Sequence, residues 1–192
     1  MQKTILTGLL ALAALLPVSG CAPLLVGGAG AGALMVEDRR TPATYLMDQE
    51  IELRARWRLS EQKLEGVHIN FTSFNRHLLI TGEAATADLR ARIVQLAREV
   101  PDVREMLDEI VVAAPTSFMS RSNDTLLTAK VKTRLVDDDQ VRAHHVKVIT
   151  ENGAVFLMGL VKREDGNRAA EIAAKTSGVI RVVKLFEYLD KP

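Results

Sequence analysis

The clearest chemistry in the chain belongs to Cys21, the single cysteine among 192 residues. A lone thiol makes no intramolecular disulfide and is left to act as a nucleophile or as an acyl acceptor. The small residues Val18-Ser19-Gly20 precede it and leave the backbone open to a peptidase. Further upstream, Lys3 supplies a positive charge and Ile5 to Pro17 form an apolar run, too short to span a bilayer comfortably. Residues 1–20 therefore read as a removable export signal, with Cys21 directly after it as a candidate for modification. Two or more acyl chains hold a protein stably on a membrane, whereas one alone is marginal. The rival readings are an ordinary signal peptide with an incidental cysteine, or a buried N-terminal helix.

The other reactive residue types do not assemble into a catalytic or metal-binding pattern. His144-His145 precedes a strand, where adjacent side chains point to opposite faces and chelate poorly. His68 and His77 are isolated. Asp137-Asp138-Asp139 lacks the spacing of a calcium loop and reads as a solvated turn. No second cysteine or carboxylate cluster stands at metal-ligand spacing. Nor is there a nucleophile–base pair, a Gly-rich phosphate loop or a pair of catalytic carboxylates. The expectation is no enzyme, no metal, no cofactor and no nucleic-acid partner.

The elements that would carry any site come as a duplication. Asn75-Arg76-His77-Leu78-Leu79-Ile80-Thr81-Gly82 matches Asn152-Gly153-Ala154-Val155-Phe156-Leu157-Met158-Gly159, 77 residues further on. Each copy reads helix, strand, strand, helix, strand. In the second copy, Asn123 or Asp124 is the expected helix N-cap. From Thr125 to Val136, Leu127, Val131 and Leu135 recur at i, i+4, i+8 as a buried stripe. Val146, Val148, Val155 and Leu157 alternate about Asn152-Gly153, a strong two-residue hairpin signal. Ala169, Ile172 and Ala173 mark the next helix, and Ile180 to Leu189 close the sheet. In the first copy the second helix runs from about Thr86 to Val100 and ends at Pro101. The pattern predicts an α+β fold, each copy αββαβ with a three-stranded mixed sheet and both helices on one face. The expected divisions are a signal peptide at 1–20, a lipidated linker at 21–44, a first domain at 45–113, a linker at 114–121 and a second domain at 122–192.

Charge separates the copies. Residues 45–113 hold 9 Lys and Arg against 12 Asp and Glu, net −3, while residues 121–192 hold 13 against 10, net +3. A basic surface near a membrane attracts anionic headgroups. On the helix from Thr125, Leu126, Lys130 and Arg134 form a second stripe, about 100° round from the buried one. An apolar side chain beside two cations suits a headgroup interface; the alternative is a solvated face with an incidental leucine. Trp57, among Arg54, Arg56 and Arg58, is expected to be partly buried with a cation–π neighbour, with an interfacial anchor as the other reading. Gly82 and Gly159, which end the hairpins, are expected to be structural, at points of close backbone approach.

Three runs carry a family resemblance: the glycine-ended hairpins Leu78 to Gly82 and Val155 to Gly159, the Ala-rich helix that follows, and Ser177-Gly178-Val179-Ile180-Arg181-Val182-Val183. They resemble the BON domain, a phospholipid-associated module of bacterial envelope proteins, over about residues 45–190. In the first copy Pro101-Asp102-Val103 stands where the family usually has a Gly-Val pair. Val18-Ser19-Gly20-Cys21 resembles the lipobox of bacterial lipoproteins, which implies that Cys21 is the acyl acceptor, and Ala22 rather than Asp after the cysteine favours the outer membrane, periplasmic face. A lipobox followed by two BON copies resembles the dual-BON outer-membrane lipoproteins of Gram-negative bacteria. That resemblance implies anionic phospholipid as the partner of the second copy, through Leu126, Leu127, Lys130, Thr133 and Arg134. It also implies a role in outer-membrane integrity, including at division sites. The other function it leaves open is an adaptor, with the acidic first copy docking outer-membrane protein assembly machinery or a regulator of peptidoglycan hydrolysis.

Overall fold

The computed structural model describes residues 38–189. Cys21, the signal expected at 1–20 and the expected linker up to residue 37 lie outside the described residues. The first αββαβ unit consists of α1 (Pro42–Glu61), β1 (Val67–Phe74), β2 (His77–Ala84), α2 (Ala87–Arg98) and β3 (Glu105–Val112). The second consists of α3 (Phe118–Val136), β4 (Lys147–Glu151), β5 (Ala154–Val161), α4 (Arg163–Ala174) and β6 (Arg181–Tyr188). Each sheet is mixed. The hairpin pair is antiparallel and the third strand, returning after the helix, lies parallel to the central one, in the orders β1-β2-β3 and β4-β5-β6. The α+β architecture is the one the sequence pattern predicts.

Local chemistry explains the hairpins. Asn152 and Gly153 both have positive φ, 50° and 70°, the conformation a two-residue turn needs to match the strand twist. In the first copy the same turn is made by Asn75 and Arg76, at 50° and 68°. Downstream, Gly82 (φ 112°) and Gly159 pass so close to the facing chain that a Cβ would overlap the carbonyl oxygen of His68 and of His145, respectively.

Strand alternation sorts the core into three parts. One face of the first sheet packs Phe71, Leu78, Ile80 and Ile110 against Ile51 and Ala55 of α1 and Ile93 and Ala97 of α2. The matching face of the second sheet packs Val148, Val155 and Leu157 against Val131 and Leu135 of α3 and Ala169, Ile172 and Ala173 of α4. The opposite faces meet each other: Phe74 and Leu79 of the first sheet are buried with Phe156 and Met158 of the second. The two sheets are thus back to back, and the helices form the two outer layers. Each of these interface side chains is stabilised by roughly 2–3 kcal/mol on leaving water, which helps two units too small to hold large cores alone. Polar groups close the rim of the interface, with Asn75 Nδ2 donating to Glu187 (2.6 Å) and Arg181 to Glu109 (3.1 Å).

Candidate functional site

The outer surface of α3 concentrates the features expected of a binding face. The helix starts earlier than its apolar periodicity indicates. Ser117 is the N-cap, its hydroxyl accepting from the Ser120 N–H at 3.2 Å. Residues 118–121, expected from the sequence to belong to the joining segment, are therefore helical. Their first turn has no inward apolar stripe to reveal it, because Phe118 and Met119 point outward.

Asp124, expected to cap this helix, does something else. Its side chain is buried within α3 and accepts from the Asn152 N–H (2.9 Å) and the Gly153 N–H (2.9 Å), so it holds the helix to the β4–β5 turn. Asp48 on α1 does the same for the first hairpin, accepting from the N–H groups of Asn75 (2.8 Å) and Arg76 (2.7 Å). Together with buried Leu127, Val131 and Leu135, this contact fixes which side of α3 faces solvent.

That outward side carries Phe118 (77% exposed), Met119 (77%), Leu126 (63%) and Val136 (70%), with exposed Ala129 and Thr133 between them. At 100° per residue these positions lie opposite the buried stripe. Lys130 borders them on one side and Lys132 on the other. Among the described residues neither lysine has a carboxylate within ion-pair distance, and both are exposed. The result is an outward face of about five turns, apolar at Phe118 and Met119, at Leu126 and Ala129 and at Val136, with polar Ser122 and Thr133 between them, and bordered by unpaired positive charge.

The expected contact residues divide. Leu126, Lys130 and Thr133 lie on this face. Arg134 is exposed at its edge, but its guanidinium donates to the Lys175 carbonyl at the end of α4 (2.6 Å) and so ties two helices together. Leu127 is only 2% exposed, in the core beneath Gly178. A membrane contact through Leu127 is excluded, because its side chain lies on the buried side of the helix with Asp124, Val131 and Leu135. Phe118, Met119, Val136 and Lys132 escape the sequence reading. The signal that could have found them is the 3.6-residue continuation of the Leu126 stripe upstream through Ser122 to Phe118 and Met119.

The corresponding face of α1 is different. Leu46, Leu53 and Trp57 are exposed (63%, 65% and 59%), so Trp57 is not the partly buried packing residue expected. Its flanking cations are matched by acids: Arg54 with Glu50 (2.5 Å), Arg56 with Glu52 (2.5 Å) and Arg58 with Glu99 (3.0 Å). Among the described residues no group of His, Cys, Asp and Glu could hold a metal ion, and no helix is long and apolar enough to cross a membrane.

Comparison with known proteins places this geometry. The BON domain family model matches residues 48–114 and again 123–190. The chain is 37% identical over 176 residues to the outer membrane lipoprotein DolP of Haemophilus influenzae, covering 90% of this chain and 91% of that one. It is 33% identical over 154 residues to a 21 kDa hemolysin of Actinobacillus pleuropneumoniae, covering 79% of each. A solved structure of CdsD, a type III secretion structural protein of Chlamydia trachomatis, aligns at TM-score 0.31 and 11% identity over 73% of this chain and 92% of that one, too slight a likeness to carry an argument.

Proposed function

The chain belongs to the BON domain family, and from that premise we propose that it is an outer-membrane lipoprotein, acylated at Cys21, whose second copy binds anionic phospholipid through the outer face of α3. The observation that carries the reading is the strip Phe118, Met119, Leu126 and Val136, exposed beside Lys130 and Lys132, which have no acidic partner among the described residues. A helix of this kind lies in the membrane interface with its apolar side among the acyl chains and its cations at the phosphates. The likeness to an outer membrane lipoprotein over nine-tenths of the chain supports the anchor and the compartment. The role is to support outer-membrane integrity, with recruitment to division sites as one use of it.

Vesicle flotation tests the reading. Leu126→Glu sets a charge among acyl chains and weakens binding to anionic vesicles. Lys130→Glu with Lys132→Glu weakens it by about 4 kcal/mol at low salt, at roughly 1 kcal/mol per cation near the surface and twice that on reversal. Salt weakens the wild type as well, since screening shortens the Debye length to about 8 Å at physiological strength. Circular dichroism must stay unchanged. Folded variants that float as well as the wild type would remove α3 as the lipid face.

The ridge Leu46, Leu53 and Trp57 on α1 favours a second reading, the protein-docking adaptor. Arg54 and Arg58 beside it are each paired with a carboxylate, so the ridge is not bordered by unpaired cations as α3 is, and apolar residues with Trp and Arg typify protein interfaces. The back-to-back sheets put this ridge on the outer layer opposite α3. A protein partner can therefore dock there while α3 lies on the membrane.

A further inference from the structure

Between the two copies lies a cleft of about 500 Å³, within the range of small-ligand sites. Arg56 of α1 and Arg121 of α3 line it, along with the facing strands β1 and β4. Arg121 has no carboxylate partner among the described residues; its guanidinium donates to the Thr116 carbonyl (2.5 Å). Arg56 shares Glu52 with Lys147, whose Nζ sits 3.1 Å from the other oxygen, so one carboxylate faces two cations.

Acidic side chains line the same cleft. Asp124 lines it, but both its oxygens already accept turn N–H groups. Glu151 is 7% exposed, and its Oε2 accepts from Asn70 Nδ2 (2.8 Å) and Thr81 Oγ1 (3.3 Å). Its Oε1 has only His68 Nε2 nearby, at 3.8 Å, beyond hydrogen-bond reach. Among the described residues no side chain or backbone group donates to Oε1, which keeps access to water and is left able to accept from a ligand. Burial, and then the neighbouring Glu83 carboxylate, push the Glu151 carboxyl above its usual range against the pull of Asn70, His68 and Thr81.

We propose that this cleft binds a phosphodiester headgroup with a terminal hydroxyl or ammonium, its phosphate between Arg56 and Arg121 and its terminal donor on Oε1 of Glu151. Guanidinium forks match phosphate oxygens in charge and geometry, and the acidic wall selects against a headgroup end that cannot donate. A membrane lipid and a free glycerophosphodiester offer the same chemistry. The lipid source rests on the proposed membrane face, since Arg121 belongs to the same helix, one turn from Phe118.

The test titrates glycerophosphoglycerol, glycerophosphoethanolamine, glycerophosphocholine and inorganic phosphate into the mature chain in a non-ionic detergent, with NMR of the Asn70 amide and the His68 ring as the readout. Saturable shifts are expected with the first two and binding at least roughly tenfold weaker with the others, which lose one charge-assisted hydrogen bond. Arg56→Ala and Arg121→Ala each weaken binding roughly tenfold. Arg56→Lys and Arg121→Lys, which keep charge and fold, weaken it less. No saturable shift at millimolar ligand, equal binding of glycerophosphocholine or phosphate, or indifference to the arginine variants overturns the proposal. Vesicle binding without headgroup shifts removes the cleft and keeps the α3 face; headgroup shifts in a chain that does not bind vesicles do the reverse.

Discussion

Replacing Asp124 by alanine should loosen the helix that carries the lipid face. Its carboxylate accepts two backbone N–H groups, from Asn152 and Gly153, at 2.9 Å each. Hydrogen bonds to a charged acceptor contribute about 1.5–3 kcal/mol apiece. Gly153 is buried and Asn152 only half-buried, so water can replace the lost bond at Asn152 but not readily at Gly153. The expected loss is roughly 3 kcal/mol, more than a hundredfold in the folding equilibrium. Asp48 accepts the two corresponding turn N–H groups and, in addition, the Ser73 hydroxyl (2.6 Å) and Arg40 (2.8 Å). Asp48→Ala should therefore cost more, about 4–5 kcal/mol. Urea unfolding at neutral pH, followed by circular dichroism, measures both, and hydrogen exchange at the Asn152 and Gly153 amides localises the effect. An Asp124→Ala chain within about 1 kcal/mol of wild type at an unchanged denaturant slope, or an Asp48→Ala loss no larger than that of Asp124→Ala, would refute the reasoning.

Further outcomes test other parts of the molecule. Glu151→Gln should stabilise the fold at neutral pH: a carboxyl whose folded pKa is raised favours folding when protonated and loses that contribution as pH rises through the folded value. The gap between variant and wild type should then close as pH falls below the folded pKa, read by thermal unfolding across pH. Gly82→Ala and Gly159→Ala should each destabilise by several kcal/mol through collision with the His68 and His145 carbonyls, measured by urea midpoint; a change under about 1 kcal/mol would mean the strands can part there. Phe156→Ala empties the contact between the two sheets and should cost about 3–5 kcal/mol, with the two units no longer melting as one in calorimetry. Cys21→Ala should leave the chain without acyl groups, which mass spectrometry of the N-terminus reads directly; an unmodified wild-type N-terminus would remove the anchor.

The alternation about Asn152-Gly153, the repeat spacing and the i, i+4 stripes of Leu127, Val131 and Leu135 are enough by themselves to specify the αββαβ units. Such signals are local: a strand shows its two faces at period two and a helix its buried stripe at 3.6. The same locality makes the outward Leu126 and Lys130 legible. The start of α3 is less so, because Phe118 and Met119 are apolar yet face solvent, and an apolar residue at a helix end does not announce which way it points. The roles of Asp48 and Asp124 depend on a turn 27 to 29 residues away, and a carboxylate near a helix start satisfies a capping pattern equally well. Whether Arg134 meets water or the carbonyl of Lys175 is settled only when α4 packs beside α3. The second faces of both sheets read as apolar strands without a stated partner, and their joining about Phe74, Leu79, Phe156 and Met158 is a tertiary event. It sets α1 and α3 on opposite outer layers and brings Arg56 and Arg121 to one cleft. Residues 65 positions apart share that cleft through packing, and packing carries no periodic trace in the chain.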